Sequence, residues 1–161
     1  LKDLVEHLQI FVYVKMDLRI IVIVNKNVLI IDGQGGQLGS QIVKALIAKF
    51  PGITVTAIGT NATATSAMLK AGAKNGATGE NPVLVACRTA DIMVGPIGIV
   101  IADALMGEVT PAMAVAVGQA DAARILIPMN KCENLVAGVS NLSTSVLIQD
   151  AVAKVGLLLG E

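Results

Sequence analysis

Few side chains in this chain carry chemistry, and those that do are mostly carboxylates. Asp32, Glu80, Asp103 and Glu108 stand beside Asn130, Lys131 and Cys132 as the candidate reactive groups. Asp32, Glu80 and the Asn130 segment each follow a predicted strand, so they would converge at one sheet edge, where open α/β sheets bind their ligands. Asp103 and Glu108 read as charges on a helix surface or at a helix end. Lys131 next to Cys132 is the arrangement that lowers a thiol pKa, although two small buried hydrophobes is the commoner role for Cys87 and Cys132. The sole histidine, His7, lies in the first 26 residues. No Ser-His-Asp, Cys-His or histidine-ligated zinc site can therefore be assembled from the remainder.

The second feature with chemical meaning is a glycine-rich run. Val28-Leu-Ile-Ile31 leads into Asp32-Gly-Gln-Gly-Gly-Gln-Leu-Gly39, and an amphipathic segment to Phe50 follows. A strand that enters Gly33-x-x-Gly36-x-x-Gly39 and leaves as a helix is the context in which such a pattern cradles a phosphate. Gly33 permits a tight exit from the strand. Gly35 and Gly36 let backbone approach a ligand, and Gly39 lets the helix sit on the sheet. Gly33, Gln34, Gly35, Gly36 and Gly39 are thus the expected binding turn, with Thr60 and Asn61 lining the same cleft. Thr60 and Asn61 serve equally well as caps for the second helix. The turn equally serves as a compact strand-to-helix connection with no ligand.

Asp32 opposes a phosphate there unless it faces away, meets a metal, or bonds backbone N–H groups. The segment about 20 residues after the turn, where NAD sites place an acid and NADP sites an arginine, reads Gly59-Thr-Asn-Ala-Thr-Ala-Thr65 and selects neither. A P-loop is excluded because Gly-Gln-Leu-Gly-Ser40 has no lysine. A methyltransferase site would need glycines two apart after the acid and another acid ending the second strand, and both are missing. The anion-binding expectation requires that the amides opening the helix near Ser40 be free.

The elements that position this turn follow from periodicity. Leu38, Ile42, Leu46 and Phe50 recur every four residues, which predicts a helix stopped by Pro51-Gly52. Strands are expected at 53–58, 74–78, 91–94 and 125–127, with helices at about 62–71, 99–106, 112–120 and 143–158. Asn81-Pro82 reads as the start of a further helix running to Ala90. Strands alternating with helices predict one Rossmann-like, doubly wound α/β domain over residues 27–161. Its mostly parallel sheet has the order 3-2-1-4-5, and Leu135-Val-Ala137 is a candidate sixth strand. Residues 1–26 read as an atypical N-terminal extension or an extra edge strand.

Composition narrows the function classes. Of 161 residues 54% are hydrophobic and 15% charged, with twelve basic against twelve acidic side chains, so a large core forms and disorder is unfavourable. The charge balance gives no footprint for nucleic acid or an anionic membrane, and Phe11, Tyr13 and Phe50 provide no stacking platform. Charges interrupt the apolar start well before the ~20 residues that span a bilayer. Two cysteines without a cleavage pattern fit reduced thiols and a cytoplasmic location. The Ala/Val-rich span from Ile97 to Ala123 favours burial against a second subunit, hence a homo-oligomer.

Two resemblances add to this. The glycine turn resembles the G-x-x-G-x-x-G turn of extended and atypical short-chain dehydrogenase/reductases, and Ala71-Gly-Ala to Ala90-Asp-Ile is similar to that group's third βαβ step. Such enzymes use a Tyr-x-x-x-Lys pair, and the single tyrosine here, Tyr13, precedes the domain. Ile31-Asp-Gly-Gln-Gly-Gly36, Gly59-Thr-Asn-Ala62, Thr65 to Ala73, Gly76 to Asn81, Gly95-Pro-Ile-Gly-Ile99 and Ile125-Leu-Ile-Pro128 together resemble a bacterial family of short proteins, the domain-of-unknown-function family 3842. That similarity spans about residues 27–140. It implies a Rossmann-like fold and carries no catalytic roles. The expected function is binding of a nucleotide, dinucleotide such as NAD(P), or phosphorylated metabolite at the glycine turn, with no reaction assigned. The alternative is a regulatory or scaffold subunit acting through its apolar helices. A third reading is an enzyme using Asp32 or Glu80 with a metal.

Overall fold

A computed structural model describes residues 26–129, 136–139 and 142–160. Five strands, β1 (Val28–Asp32), β2 (Val55–Gly59), β3 (Asn75–Thr78), β4 (Ile92–Pro96) and β5 (Ala123–Ile127), form an all-parallel sheet in the order β3-β2-β1-β4-β5. The fold is the expected Rossmann-like α/β arrangement. Val28 pairs with Val55 on one side and Ile92 on the other, and Asp32 lies opposite Gly59.

The alternation of side chains along the central strands divides the core between two faces. Val28 and Ile30 join Val55, Ala57, Ile92 and Val94 beneath α1 (Gln37–Lys49), α2 (Ala62–Lys70) and α5 (Thr144–Leu159). Leu29, Ile31, Ile58 and Met93 face the opposite way, under α3 (Glu80–Ala86) and α4 (Pro111–Gln119). β1 is buried along its whole length, as a central strand covered on both faces must be. Cys87 is buried in the second cluster and acts there as a small hydrophobe.

Three expectations are corrected. Residues 99–106 are not a helix. A 3-10 turn at Ile97–Val100 gives way to an irregular segment in which Asp103, Leu105, Met106 and Gly107 all have positive φ. Three of these are L-residues with side chains, and their left-handed backbone cannot be propagated as a helix. The helix expected from Asn81-Pro82 begins at Glu80, because Gly79 at φ 101 makes the preceding turn, and it ends at Ala86. The candidate sixth strand is not a strand in its described part: Val136 to Val139 is a turn closed by the Val139 N–H on the Val136 carbonyl (3.2 Å). Leu135 lies outside the described residues, as do residues 1–25, Asn130, Lys131 and Cys132. Among the described residues no helix is long and apolar enough to cross a membrane.

Candidate functional site

The chain proceeds from β1 outward to β2 and β3, then returns past β1 to β4. The two halves therefore diverge between the carboxyl ends of β1 and β4, the place where open α/β sheets leave a crevice. A cavity of about 280 Å³ lies there. Its floor is the glycine turn, from Asp32 through Leu38, and its walls include Pro96, Gly98, Leu105, Met129 and Thr144.

The turn is built by two left-handed residues, Gln34 (φ 49) and Gly36 (φ 68). The Gly36 N–H bonds the Gly33 carbonyl at 2.9 Å and closes the turn. Gly36 also caps α1 without a side chain, so no residue of its own covers the helix N-terminus. A Cβ at Gly36 would lie 2.6 Å from Ala64 Cα, so α1 and α2 approach closely only because this residue is glycine. Gly39 sits where a Cβ would meet Asp32 Cβ at 2.8 Å, which lets α1 rest against the end of β1. Gly35 has open space around its Cβ position and lines the cavity.

Asp32 faces inward. Its side chain is 5% exposed, and its carboxylate accepts the Gly33 N–H at 2.8 Å and the Gly39 N–H at 2.7 Å. The amide at the third position of α1 is thus not open, contrary to the expectation that the amides near Ser40 are free, and the Ser40 N–H bonds the Gly36 carbonyl at 2.9 Å. What remains are the Gln37 and Leu38 amides, which hold no acceptor among the described residues. Burial raises the Asp32 pKa. The Gly39 and Gly33 amides oppose that rise, and the nearby Glu108 charge adds to it.

Glu108, read from the sequence as a helix-surface charge, belongs to the site instead. One oxygen, Oε2, accepts from the Gln34 N–H at 2.8 Å, from Asn61 Nδ2 at 2.9 Å and from the Thr60 hydroxyl. Partial burial alone would raise its pKa, but the bonds from Thr60, Gln34 and Asn61 outweigh that and hold it below the usual carboxylate range. Thr60 and Asn61 are not among the described cavity-lining residues: Thr60 meets the glycine turn through Glu108, and Asn61 meets it both through Glu108 and directly at the Gln34 carbonyl. Asn61 takes the capping role expected of it, Oδ1 accepting the Ala64 N–H at 2.9 Å, and its Nδ2 bonds the Gln34 carbonyl and Glu108.

Glu80 does not join Asp32. It accepts from Thr110 Oγ1 at 2.5 Å and ties the starts of α3 and α4 together. Asn130, Lys131 and Cys132 fall outside the described residues. Among the described residues no three His, Cys, Asp or Glu side chains gather to hold a metal ion, and none of the described cavity-lining residues is basic.

The family model described as domain of unknown function (DUF3842) matches residues 27–159. The chain belongs to that family. No curated protein and no solved structure matches.

Proposed function

We propose that this member of the DUF3842 family binds a small phosphorylated metabolite or nucleotide over its glycine turn. The observation that carries the reading is the cavity between the β1 and β4 ends, floored by residues 32–38 and opening onto the unbonded Gln37 and Leu38 amides. Those amides carry the partial positive charge of the α1 N-terminus. Asp32 is compatible with an anion because two backbone amides already engage it, one of the three conditions under which an acid tolerates a neighbouring phosphate.

The cavity lies at the lower bound of small-molecule pockets, about 300 Å³. It suits a compact phosphorylated metabolite or the phosphate end of a mononucleotide better than a fully enclosed NAD(P). Thermal shift against orthophosphate, sugar phosphates, AMP, ATP, NAD, NADP and FAD tests the reading. A rise in Tm is expected for a small phosphorylated compound, and a flat response to all of them at millimolar concentration contradicts it. Gly35→Val supplies the control. The Gly35 backbone is not left-handed and its Cβ position is open, so stability should change by no more than about 0.5 kcal/mol. Gly35 lines the cavity, so a valine there narrows it and binding should fall at least ten-fold.

A second reading concerns partners. α4 is Pro-Ala-Met-Ala-Val-Ala-Val-Gly-Gln, without a charge, and Val115 on it is 53% exposed. We propose that this face pairs two copies of the chain. Light scattering should give a dimer in the wild type and a monomer for Val115→Glu; a wild-type monomer at high micromolar concentration contradicts it.

A further inference from the structure

The hydrogen bonds around Glu108 describe an anion site that is already filled from within. A backbone N–H, a hydroxyl and a side-chain amide, from Gln34, Thr60 and Asn61, converge on a single carboxylate oxygen. Such a set of donors from three positions recognises an oxyanion rather than a carboxylate in particular, since phosphate oxygens accept the same bonds. Gly33 provides the room. A Cβ there would lie 2.6 Å from Thr60 Oγ1 and 2.7 Å from Glu108 Oε2, so any other residue at position 33 would fill the seat.

We propose that Gln34, Thr60 and Asn61 form an oxyanion subsite, and that the Glu108 carboxylate is its resident stand-in, exchanged for the phosphate of a bound ligand. This rests on the proposed function and identifies which group admits the ligand.

Charge balance favours exchange over addition. With Glu108 seated, the turn already holds two carboxylates, Asp32 and Glu108, and no described cavity-lining residue is basic. A phosphate added beside both would be a third negative group in a partly buried site. Replacing Glu108 leaves the number of anions unchanged and keeps all three donors satisfied.

The segment carrying Glu108 is suited to release. Asp103, Leu105 and Met106 are held in left-handed backbone, Met106 is 95% exposed, and Gly107 follows. The backbone of the segment is closed by its own bonds, the Asp103 N–H on the Val109 carbonyl at 2.8 Å and the Val109 N–H on the Ala104 carbonyl at 3.2 Å, so the Glu108 side chain leaves its seat by rotating while the backbone stays. Val109, fully buried directly after Glu108, anchors that backbone.

Isothermal titration of the full chain with orthophosphate and with AMP, at constant ionic strength, tests the exchange. Glu108→Ala and the nearly isosteric Glu108→Gln, which covers the case in which the alanine variant does not fold, are compared with wild type. Glu108→Ala should bind at least ten-fold tighter because the competing acceptor is gone, and Glu108→Gln, which keeps an acceptor oxygen but loses the charge, should gain several-fold. Thr60→Val added to Glu108→Gln should reverse the gain several-fold. If wild type binds and the Glu108 variants bind equally or more weakly, exchange is overturned while the proposed function stands. If only the variants bind, exchange is supported and Glu108 keeps the wild-type site closed. If none of the proteins binds either probe, exchange and the proposed function both fail.

Discussion

Gly36→Ala is expected to lower the unfolding free energy by about 3 kcal/mol, at the high end for a single substitution. Two costs add. At φ 68 an L-residue with a side chain gives up roughly 1 to 2 kcal/mol relative to glycine. The new Cβ would also lie 2.6 Å from Ala64 Cα and 2.8 Å from the Ala64 carbonyl oxygen. These are backbone atoms and cannot rotate away, so α1 and α2 must separate, an overpacking cost of about 1 to 3 kcal/mol. Urea denaturation measures the total, and a loss below about 1 kcal/mol would show that the helices have room to part. Gly35→Ala, only one residue earlier, should be nearly silent because nothing surrounds its Cβ position.

Asp32→Asn has the next largest effect, about 2 kcal/mol of destabilisation. The carboxylate receives the Gly33 and Gly39 N–H groups on different oxygens. An asparagine has one acceptor oxygen, so its NH2 must face one of those amides, leaving a buried donor without a partner. Stability should also differ between the two proteins as a function of pH. The Asp32 pKa is raised in the folded chain, chiefly by burial, so the folded state holds the proton more tightly than the unfolded one. That contribution to stability is fully present below the unfolded carboxylate pKa of ~3.9 and is lost as pH rises through the folded value. The advantage of wild type over Asp32→Asn therefore shrinks as pH rises above ~4. Glu108, with its lowered pKa, contributes the opposite slope, present above the unfolded value and lost as pH falls through the folded one. It does so in both proteins, so the difference between them reports Asp32 together with its coupling to Glu108. An advantage that grows with pH would mean that the two amides outweigh burial.

The strand order and the glycine turn were legible because local signals agree there. Val28 to Ile31 is a short, β-branched run ending in glycines, which favours a buried strand, and Leu38, Ile42 and Leu46 give the helix that follows a continuous apolar face. Residues 101–109 were not legible. Leu105 and Met106 continue the apolar spacing of a helix, and nothing in a leucine or methionine announces a left-handed backbone. Gly33 and Gly36 drew attention in the turn, yet one of its two left-handed positions is Gln34, where residue type gives no warning. Glu108 is not legible as a site residue for a different reason. It lies 74 residues from Gln34 and 48 from Thr60, and only the sheet order β2-β1-β4 brings these together. Asn61 is legible as the cap of α2, and what its residue type does not announce is the second end, Nδ2, on Glu108.

The turn thus combines three glycines that fit only their own places with two carboxylates that hold the Gly33, Gln34 and Gly39 amides. The Gly35, Gln37 and Leu38 amides and the cavity beside them are open at rest, and the exchange proposed above adds the seat that Glu108 holds. Amide chemical shifts of the full chain during titration with AMP address this most directly. The largest saturable changes are expected at Gly35, Gln37 and Leu38, followed by Gln34 as Glu108 leaves. Saturable shifts confined to residues away from the turn, or none at millimolar AMP and orthophosphate alike, would contradict it.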